Sequence, residues 1–177
     1  MIRTGLLLAA GASRRFGPQD KLLAPVRGRA MVIHAAEAMS GADLGHRIAV
    51  ISNPELAPLL GAFTIVTISP GQQSDSLRAG LAAAGLVHRL LVALGDMPDV
   101  TAGHLDHVLR TATDVLPAAS HDGQSPLPPA CFPAASLRAL RSLSGDQGAG
   151  RLLRDLPPEQ LVHAPGLLRD IDRTGDL

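Results

Sequence analysis

Short apolar runs alternate with segments of helical periodicity along most of the chain. The apolar runs are rich in Leu, Val and Ile, as expected of buried strands, and span residues 5–10, 47–52, 63–68 and 90–94. The helical patterns span residues 30–39, 54–60, 74–84 and 101–112. This alternation predicts an α/β fold with a mostly parallel sheet and helices on both of its faces.

The last third of the chain is less regular. We predict strands over residues 114–119, 161–164 and 168–171, a helix over 134–142, and a short helix from Arg151. The segment Pro126-Leu127-Pro128-Pro129 is predicted to lie outside any central strand, because proline cannot donate to a strand ladder. At 177 residues, the chain is expected to form one domain over residues 1–177.

Composition and charge exclude several classes of function. The 16 basic and 16 acidic residues cancel, which argues against binding to nucleic acid or to an anionic membrane. No apolar run approaches the roughly 20 residues of a membrane span, so we expect a cytosolic (cytoplasmic) protein. The single cysteine, Cys131, is predicted to be a small buried hydrophobe, since it allows no internal disulfide. His104 and His107 are predicted to lie on a solvated helix face.

A glycine-rich cluster follows the first predicted strand. Its sequence, residues 11–17, is GASRRFG and includes Gly11, Ser13, Arg14 and Arg15. Lys21 comes four residues after it. Backbone N–H groups of small residues can approach phosphate oxygens, while the cations neutralise their charge. Lys21 is the only lysine among 16 basic residues, which suggests a need for a compact point charge. A plain glycine turn with solvated arginines is the alternative, since the P-loop and G-x-G-x-x-G spacings are both absent.

Aspartates follow two other apolar segments. Asp96 comes directly after the run 90–94 and next to a glycine, which suits Mg²⁺ held by a carboxylate and by substrate phosphates. Asp170 and Asp172 alternate in an extended segment, so both side chains could reach one metal. The alternatives are a helix-capping aspartate and solvated C-terminal acids. In the segment GQQSDSLR, Gln72 and Ser76 suit hydrogen bonds to a base or ribose, although a simple helix cap is equally compatible.

In this order, the clusters resemble the MobA-like nucleotidyltransferase family, and most closely its molybdenum cofactor cytidylyltransferase branch. The motifs are LAAGASRRFG with Lys21-Leu22-Leu23, S-L-R-A-G, G-D-M-P, S-G-D-x-G-A and D-I-D. The resemblance implies a Rossmann-like three-layer α/β/α fold of the nucleotide-diphospho-sugar transferase type. It also implies transfer of CMP from CTP to molybdopterin. Ala10 favours cytosine, because guanylyltransferases tend to have glycine at this position of the signature.

The chain departs from the family pattern at two places. The family often has a glycine and a histidine or asparagine before a proline where this chain has Pro126-Leu127-Pro128, so the family's acceptor contacts are not carried over to this segment. After D-I-D the family usually continues with threonine, whereas Arg173 stands here.

The resemblance and the residues together predict in-line attack of an acceptor phosphate on the α-phosphorus of the nucleotide. Asp96 and Asp172 are expected to hold Mg²⁺, with Asp170 as a weaker candidate, and Lys21 and Arg15 to stabilise the phosphates, with Arg14 weaker. The expected nucleotide contacts come from Ala9, Ala10, Gly11, Ala12, Ser13, Gln72 and Ser76. The alternatives are a GTP-dependent or sugar-phosphate enzyme on the same scaffold, and a non-catalytic molybdenum cofactor carrier. A recipient molybdoenzyme is a further expected partner.

Overall fold

The structure is a computed structural model that describes residues 1–11, 20–145, 148–172 and 175. Its strands are β1 (Arg3–Ala9), β2 (Pro25–Val26), β3 (Arg29–Ala30), β4 (His46–Ile51), β5 (Thr64–Thr67), β6 (Arg89–Leu94), β7 (Ala118–His121), β8 (Pro126–Pro133) and β9 (Leu161–His163). Its α-helices are α1 (Met31–Gly41), α2 (Gln73–Ala83), α3 (Ala102–Thr111) and α4 (Leu137–Arg141). Short 3-10 helices cover Lys21–Leu23, Pro54–Leu59, Ala134–Ser136, Ala149–Leu152 and Pro158–Gln160.

Seven strands form one sheet in the order β5-β4-β1-β6-β8-β7-β9, and β2 pairs with β3 separately. The first four strands of this order are parallel, with Leu6 of β1 opposite both Ile48 and Val92. The strand β8 runs against its neighbours β6 and β7, while β9 is parallel to β7. The predicted mostly parallel α/β sheet is therefore confirmed.

The pleat of β1 divides the core into two clusters, one on each face of the sheet. Leu6 and Leu8 pack with the α2 and α4 side, whereas Leu7 and Ala9 pack with the α1 and α3 side. Successive side chains of a strand point to opposite faces, so a strand buried on both faces must be apolar throughout. Helices on both faces of the sheet complete the three layers.

The strand β8 corrects the prediction that the proline segment avoids the inside of the sheet. β8 lies between β6 and β7 and begins at Pro126. Two features explain how prolines are accommodated. The part of β8 that pairs with β6 begins only at Ala130, and a register shift opposite Ala119 and Ser120 leaves Pro128 and Pro129 without ladder partners. Proline is tolerated at such bulges because no N–H is required there.

His104 also differs from its prediction. Only 7% of this residue is exposed, and its Nε2 lies 2.7 Å from the Ser120 hydroxyl oxygen. The Ser120 hydroxyl donates to the carbonyl of Pro129, also at 2.7 Å, so its oxygen accepts from an Nε2–H of His104. Because α3 packs against β7, His104 faces the core, whereas His107 is exposed as predicted.

Other predictions differ at the boundaries. Residues 168–171 form no strand, the strand predicted over 114–119 begins only at Ala118, and the helix predicted over 54–60 is a 3-10 helix that covers Pro54–Leu59. Cys131 is fully buried, as predicted, and burial raises the pKa of its thiol to about 12. In the part of the chain that the structure describes, no helix is long and apolar enough to cross a membrane.

Candidate active site

The carboxyl ends of β1 and β6 bring two of the predicted clusters to one edge of the sheet. β1 leads into Ala10 and Gly11, and β6 leads into Gly95 and Asp96. The two strands are parallel neighbours, and the N–H of Gly95 donates to the carbonyl of Leu8 at 3.0 Å. Ligands of open α/β sheets bind beyond this edge, so the candidate site lies where the fold would place it.

An ammonium group joins two carboxylates at this edge. Lys21 Nζ lies 2.7 Å from Asp96 Oδ2 and 2.9 Å from Asp172 Oδ1. The side chains of Lys21 and Asp96 are only 12% and 19% exposed, and that of Asp172 is 43% exposed. Burial by itself lowers the pKa of Lys21, but the charges and hydrogen bonds of both aspartates outweigh it and raise the pKa. We call Lys21, Asp96 and Asp172 the Lys–Asp cluster.

The position of Lys21 is fixed by a short 3-10 turn and its cap. Asp20 Oδ1 accepts from the N–H of Leu22 at 3.0 Å, and the other carboxylate oxygen accepts from Asn53 Nδ2 at 3.1 Å. Leu22 is buried in the core, which anchors the turn against the sheet. Asn53 follows β4, so a third strand end supports the site. Sequence reasoning missed Asp20 and Asn53, although Asn53 stands just after an apolar run, where a polar residue indicates a site.

Asp172 reaches the cluster because the chain after β9 returns to β6. The N–H of Ile171 donates to the carbonyl of Asp96 at 3.1 Å, and the Ile171 side chain is fully buried. Asp170 lies on the exposed side of this segment. Its pKa is raised by partial burial and then by the negative charges of Asp172 and Asp96. The segment thus brings Asp172 to Lys21, and Asp170 lies close enough for the charges of Asp172 and Asp96 to affect its pKa.

One carboxylate oxygen of the Lys–Asp cluster makes no hydrogen bond to the described residues and is available to a ligand. Asp96 Oδ1 is buried and has no hydrogen-bond partner among them. A buried, unpaired carboxylate oxygen is costly unless an ion or donor satisfies it. The described residues contain no group of three His, Cys, Asp or Glu side chains placed to hold a metal. Mg²⁺, which keeps several waters and binds through one or two carboxylates plus phosphates, fits such a sparse donor set.

Arg27 holds the loop that carries Asp96, and sequence reasoning missed this role. Its guanidinium lies 2.6 Å from Asp99 Oδ1 and donates at 2.6 Å to the carbonyl of Pro98. Arg27 and Gly28 both have positive φ, at 49° and 78°, so they form the tight turn between β2 and β3. This turn aims the guanidinium at the residues that follow Asp96.

The predicted nucleotide contacts fall into three groups. Ala9 and Ala10 are buried, and a Cβ added to Gly11 would have no atom of the described residues within 4 Å. Gln72 is exposed and forms a reciprocal capping box with Asp75 at the start of α2, while Ser76 is 5% exposed on the same helix. The structure thus gives Gln72 a helix-capping role, and its contact with a nucleotide stays a prediction. Ala12, Ser13, Arg14, Arg15 and Arg173 lie outside the described residues, so their roles also stay predictions.

The start of α2 also contacts the glycine-rich segment that includes Gly148. A Cβ on Gly148 would lie 1.8 Å from Gln73 Oε1, so only glycine lets the Gln73 amide pack there. The hydroxyl of Ser74 is buried and has no hydrogen-bond partner among the described residues. The segment around Gly148 therefore packs against the start of α2, which carries the predicted nucleotide contacts Gln72 and Ser76.

Comparison with known proteins decides the family. Residues 5–162 match the model of the MobA-like NTP transferase domain. The chain belongs to this family. Its recognition from the ordered motifs is thereby confirmed, and the Lys–Asp cluster is the candidate active site of a MobA-like domain.

Three relatives illustrate the range of names in the family's neighbourhood. A probable molybdenum cofactor guanylyltransferase from Pyrococcus horikoshii is 27% identical over 104 residues, which cover 59% of this chain and 53% of the relative. The nicotine blue oxidoreductase of Paenarthrobacter nicotinovorans is 36% identical over 114 residues, covering 60% and 55%. The purine catabolism protein PucB of Bacillus subtilis is 27% identical over 166 residues, covering 85% and 80%. The chain thus spans about half the length of the first two relatives.

Solved structures share the fold over the whole MobA-like chain. A nucleotidyl transferase from Methanothermobacter superposes with a TM-score of 0.84 at 23% identity, covering 99% of this chain and 94% of that one. A Mycobacterium tuberculosis protein solved in complex with manganese superposes with a TM-score of 0.80 at 24% identity, covering 99% and 96%. These similarities confirm the Rossmann-like nucleotidyltransferase fold.

Proposed function

We propose that this protein is a Mg²⁺-dependent nucleotidyltransferase that moves CMP from CTP onto a phosphorylated acceptor, molybdopterin, and releases pyrophosphate. One observation carries the proposal: Lys21 Nζ lies within 2.9 Å of carboxylates from Asp96 and Asp172, at the sheet edge where ligands bind. Lys21, Asp96 and Asp172 come from three distant parts of the chain, so the arrangement is a product of the fold. Membership of the MobA-like family supports nucleotidyl transfer as its use.

The chemistry requires positioning and charge stabilisation more than covalent catalysis. An oxygen of the acceptor phosphate forms a bond to the α-phosphorus of CTP while the bond to the pyrophosphate oxygen breaks. The attacking oxygen is already anionic, so no protein nucleophile is required. Lys21 stabilises negative charge on the phosphates, and Asp20 and Asn53 hold the turn that carries it. Arg27 stabilises the loop that carries Asp96 through its hydrogen bond to the carbonyl of Pro98.

Asp96 and Asp172 would hold the divalent cation. Two observations support this role. Asp96 Oδ1 has no hydrogen-bond partner among the described residues, and the carboxylates of Asp96 and Asp172 both contact Lys21 Nζ. When bound, Mg²⁺ supplies Lewis-acid stabilisation of phosphate oxygens. In the structure, Lys21 compensates the two negative charges. We infer that Lys21 turns from the carboxylates toward the substrate phosphates when the substrate is bound.

GTP is the second candidate nucleotide. Relatives from Pyrococcus horikoshii and Haloferax mediterranei are named probable molybdenum cofactor guanylyltransferases, at 27% and 28% identity. CTP is favoured by Ala10, whose side chain is buried within the core cluster on the α2 side. Pyrophosphate release with each of the four nucleoside triphosphates, in the presence of molybdopterin and Mg²⁺, discriminates between the bases. Preference for GTP would overturn the cytidylyl assignment and leave nucleotidyl transfer intact.

The site assignment is tested by removing its charges one at a time. Asp96→Asn and Lys21→Ala are each expected to lower the turnover number about 10²- to 10³-fold, the scale of losing one preorganised charge-stabilising group. Asp43→Asn is a matched control, because Asp43 pairs with Arg3 at the opposite edge of the sheet. Near-normal turnover of the Asp96 and Lys21 variants would refute the assignment. Absence of pyrophosphate release by the wild type, with acceptor still bound, would instead indicate a carrier.

A further inference from the structure

Two histidines form a pair outside the Lys–Asp cluster but on the same edge of the sheet. His121 ends β7 and His163 ends β9, and they lie opposite each other in the parallel register of these strands. Their ring centroids are 4.5 Å apart with an interplanar angle of 46°. Because β7 runs parallel to β6 across the intervening antiparallel β8, the ends of β6 and β7 lie on one side. We call His121 and His163 the histidine pair.

The strand pleat places both rings on the face that carries α2 and α4. Ala119 belongs to the core cluster of that face, and His121 is two residues further along the same strand. Leu161 packs against that cluster too, two residues before His163. Residues two apart on a strand share a face, so the two rings point to the same side as the Gln73–Gly148 contact. His121 is half-buried and His163 is exposed, so the rings are accessible to a ligand.

The hydrogen bonding of His121 restricts what it can bind. Its Nδ1 accepts a hydrogen bond from the N–H of Gly123 at 3.0 Å. The lone pair of Nδ1 is used in this hydrogen bond, so the ring carries its proton on Nε2. Nε2 is then a donor and cannot act as a metal ligand without losing the Gly123 hydrogen bond. The ring therefore offers an N–H to a carbonyl, ring nitrogen or oxyanion of a ligand.

The neighbouring carboxylate is occupied by the local turn. Asp122 Oδ1 accepts from the N–H groups of Gln124 at 2.7 Å and Ser125 at 2.8 Å. These backbone hydrogen bonds lower the pKa of Asp122. The Asp122 carboxylate thus stabilises the turn that places the N–H of Gly123 next to His121. The two imidazole rings offer flat surfaces and N–H donors to a ligand.

We propose that His121 and His163 bind the planar, non-reacting end of the acceptor, a nitrogen heterocycle such as the pterin of molybdopterin. This inference rests on the proposed function. Two strand spacings of about 4.8 Å separate β6 from β7, and a third leads to β9, so the pair lies about 10–15 Å along the edge from the strand that leads to Asp96. An acceptor whose phosphate reacts at the Lys–Asp cluster would extend along this edge and place its ring system on the imidazoles.

Imidazole rings suit this ligand for two reasons. Flat heterocycles stack on aromatic faces, and loss of one such contact weakens binding about tenfold or more. The Nε2–H of His121 can in addition donate to a ring carbonyl or nitrogen, the groups that distinguish a pterin from an aliphatic acceptor. The chain has proline and leucine at positions 126–128, next to this pair, so the side chains of that segment offer no hydrogen-bonding group to a ligand, whereas the two histidines do.

The test measures the Michaelis constant for molybdopterin in nucleotidyl transfer by the full chain. His121→Ala and His163→Ala are each expected to raise this constant about tenfold, with the turnover number and the Michaelis constant for the nucleotide unchanged. His163→Phe keeps a flat ring and is expected to restore most of the affinity. His46→Ala is the control, since His46 is exposed at the start of β4, on the opposite edge of the sheet.

A direct binding measurement separates this inference from the proposed function. Titration of the protein with a free pterin, followed by the fluorescence of the pterin, is expected to show binding by the wild type and His46→Ala and weaker binding by both histidine-pair variants. Wild-type transfer with an unchanged acceptor constant in His121→Ala and His163→Ala would overturn the inference alone. Tight Zn²⁺ binding that is lost in His163→Ala would also overturn it, as a metal site. No transfer by the wild type with any nucleotide would overturn the proposed function instead.

Discussion

The backbone N–H of Ile171 donates to the carbonyl of Asp96 at 3.1 Å and joins the last described segment of the chain to the loop after β6. The Ile171 side chain is completely buried in the α1 and α3 core cluster. One residue later, the carboxylate of Asp172 contacts Lys21. Burial of a hydrophobic side chain thus determines where a polar site residue lies, because a shift of Ile171 would move Asp172 with it.

Replacement of Ile171 with Ala is expected to lower activity more than its effect on stability explains. The cavity would reduce the free energy of unfolding by about 2–5 kcal/mol, as for other large-to-small core changes. The looser segment would also let Asp172 leave the cluster. We expect the turnover number to fall at least tenfold at temperatures well below the melting transition.

Ile48→Ala is the matched control for this change. Ile48 is 4% exposed and lies in the core cluster on the other face of the sheet, so it creates a comparable cavity away from Asp172. Turnover numbers and melting temperatures of both variants are measured together. Equal loss of activity in two variants of equal stability would contradict a positioning role for Ile171.

Replacement of Lys21 with Ala is expected to make the protein more responsive to Mg²⁺. Without the ammonium, the carboxylates of Asp96 and Asp172 repel each other, which costs about 1–3 kcal/mol for a partly buried cluster. A bound cation relieves this repulsion. The melting temperature of the variant is therefore expected to be lower without metal, and to rise more on addition of MgCl₂ than that of the wild type.

Arg29→Ala controls for the loss of a positive charge in general. Arg29 pairs with Glu37, and both side chains are about half exposed. This variant is expected to keep the Mg²⁺ response of the wild type. A Lys21→Ala protein that shows no larger increase with MgCl₂ would argue against a cation between the two aspartates.

The parallel half of the fold was predictable because its strands are apolar on both faces and alternate with helices. The antiparallel half was less so, because its pairing depends on contacts between distant segments. The proline segment of β8 illustrates this, since its place inside the sheet requires the bulge opposite Ala119 and Ser120. His104 was misplaced because its helix packs against β7, whose position could not be known from periodicity alone.

Much of the candidate site was predictable because polar clusters follow apolar runs, although Asn53, which also follows such a run, was missed. Asp96 and Asp172 were identified in this way, Lys21 was identified as the only lysine of the chain, and the fold brings the three together. Arg27, Asp20 and Asn53 were missed because their partners are distant in the sequence, so that only the folded chain shows which groups they support. The histidine pair was missed because only the order of the strands in the sheet places His121 beside His163.

Replacement of Gly80 with Ala is expected to destabilise the protein. An added Cβ would lie 2.3 Å from Leu6 Cδ1 and 2.8 Å from Leu6 Cδ2, at the contact between α2 and β1. Leu6 is fully buried and has little freedom to move away. Overpacking of this kind costs about 1–3 kcal/mol, which urea unfolding measures directly.

Gly103→Ala is the control for Gly80→Ala, because it adds the same methyl group where there is room for it. Gly103 also lies in a helix, but an added Cβ would have no described atom within 4 Å, apart from the neighbours and helix backbone that surround any helical residue. Alanine is the better helix former, so this variant is expected to be as stable as the wild type or more stable. Destabilisation of both variants to the same extent would show that the Leu6 contact is not the cause.

His104 is expected to make the protein less stable as the pH falls below about 6.5, the ordinary pKa of histidine. Burial, and then the charge of His107, lower the pKa of His104 in the folded protein. Between the folded and unfolded pKa values, the unfolded chain binds a proton that folded His104 does not bind. The free energy of unfolding therefore decreases with decreasing pH, with a slope of up to about 1.4 kcal/mol per pH unit from this group.

His104→Gln removes the titrating ring and keeps an N–H donor for the Ser120 hydroxyl, which itself donates to Pro129. Urea unfolding between pH 5 and pH 8 is expected to show a weaker pH dependence for this variant than for the wild type. His107→Gln, a change at an exposed position on the same helix, is expected to keep most of the wild-type dependence. If His104→Gln and the wild type lost stability in parallel across this range, His104 would be titrating with the same pKa in both states, and the buried hydrogen bond would not exclude its charged form.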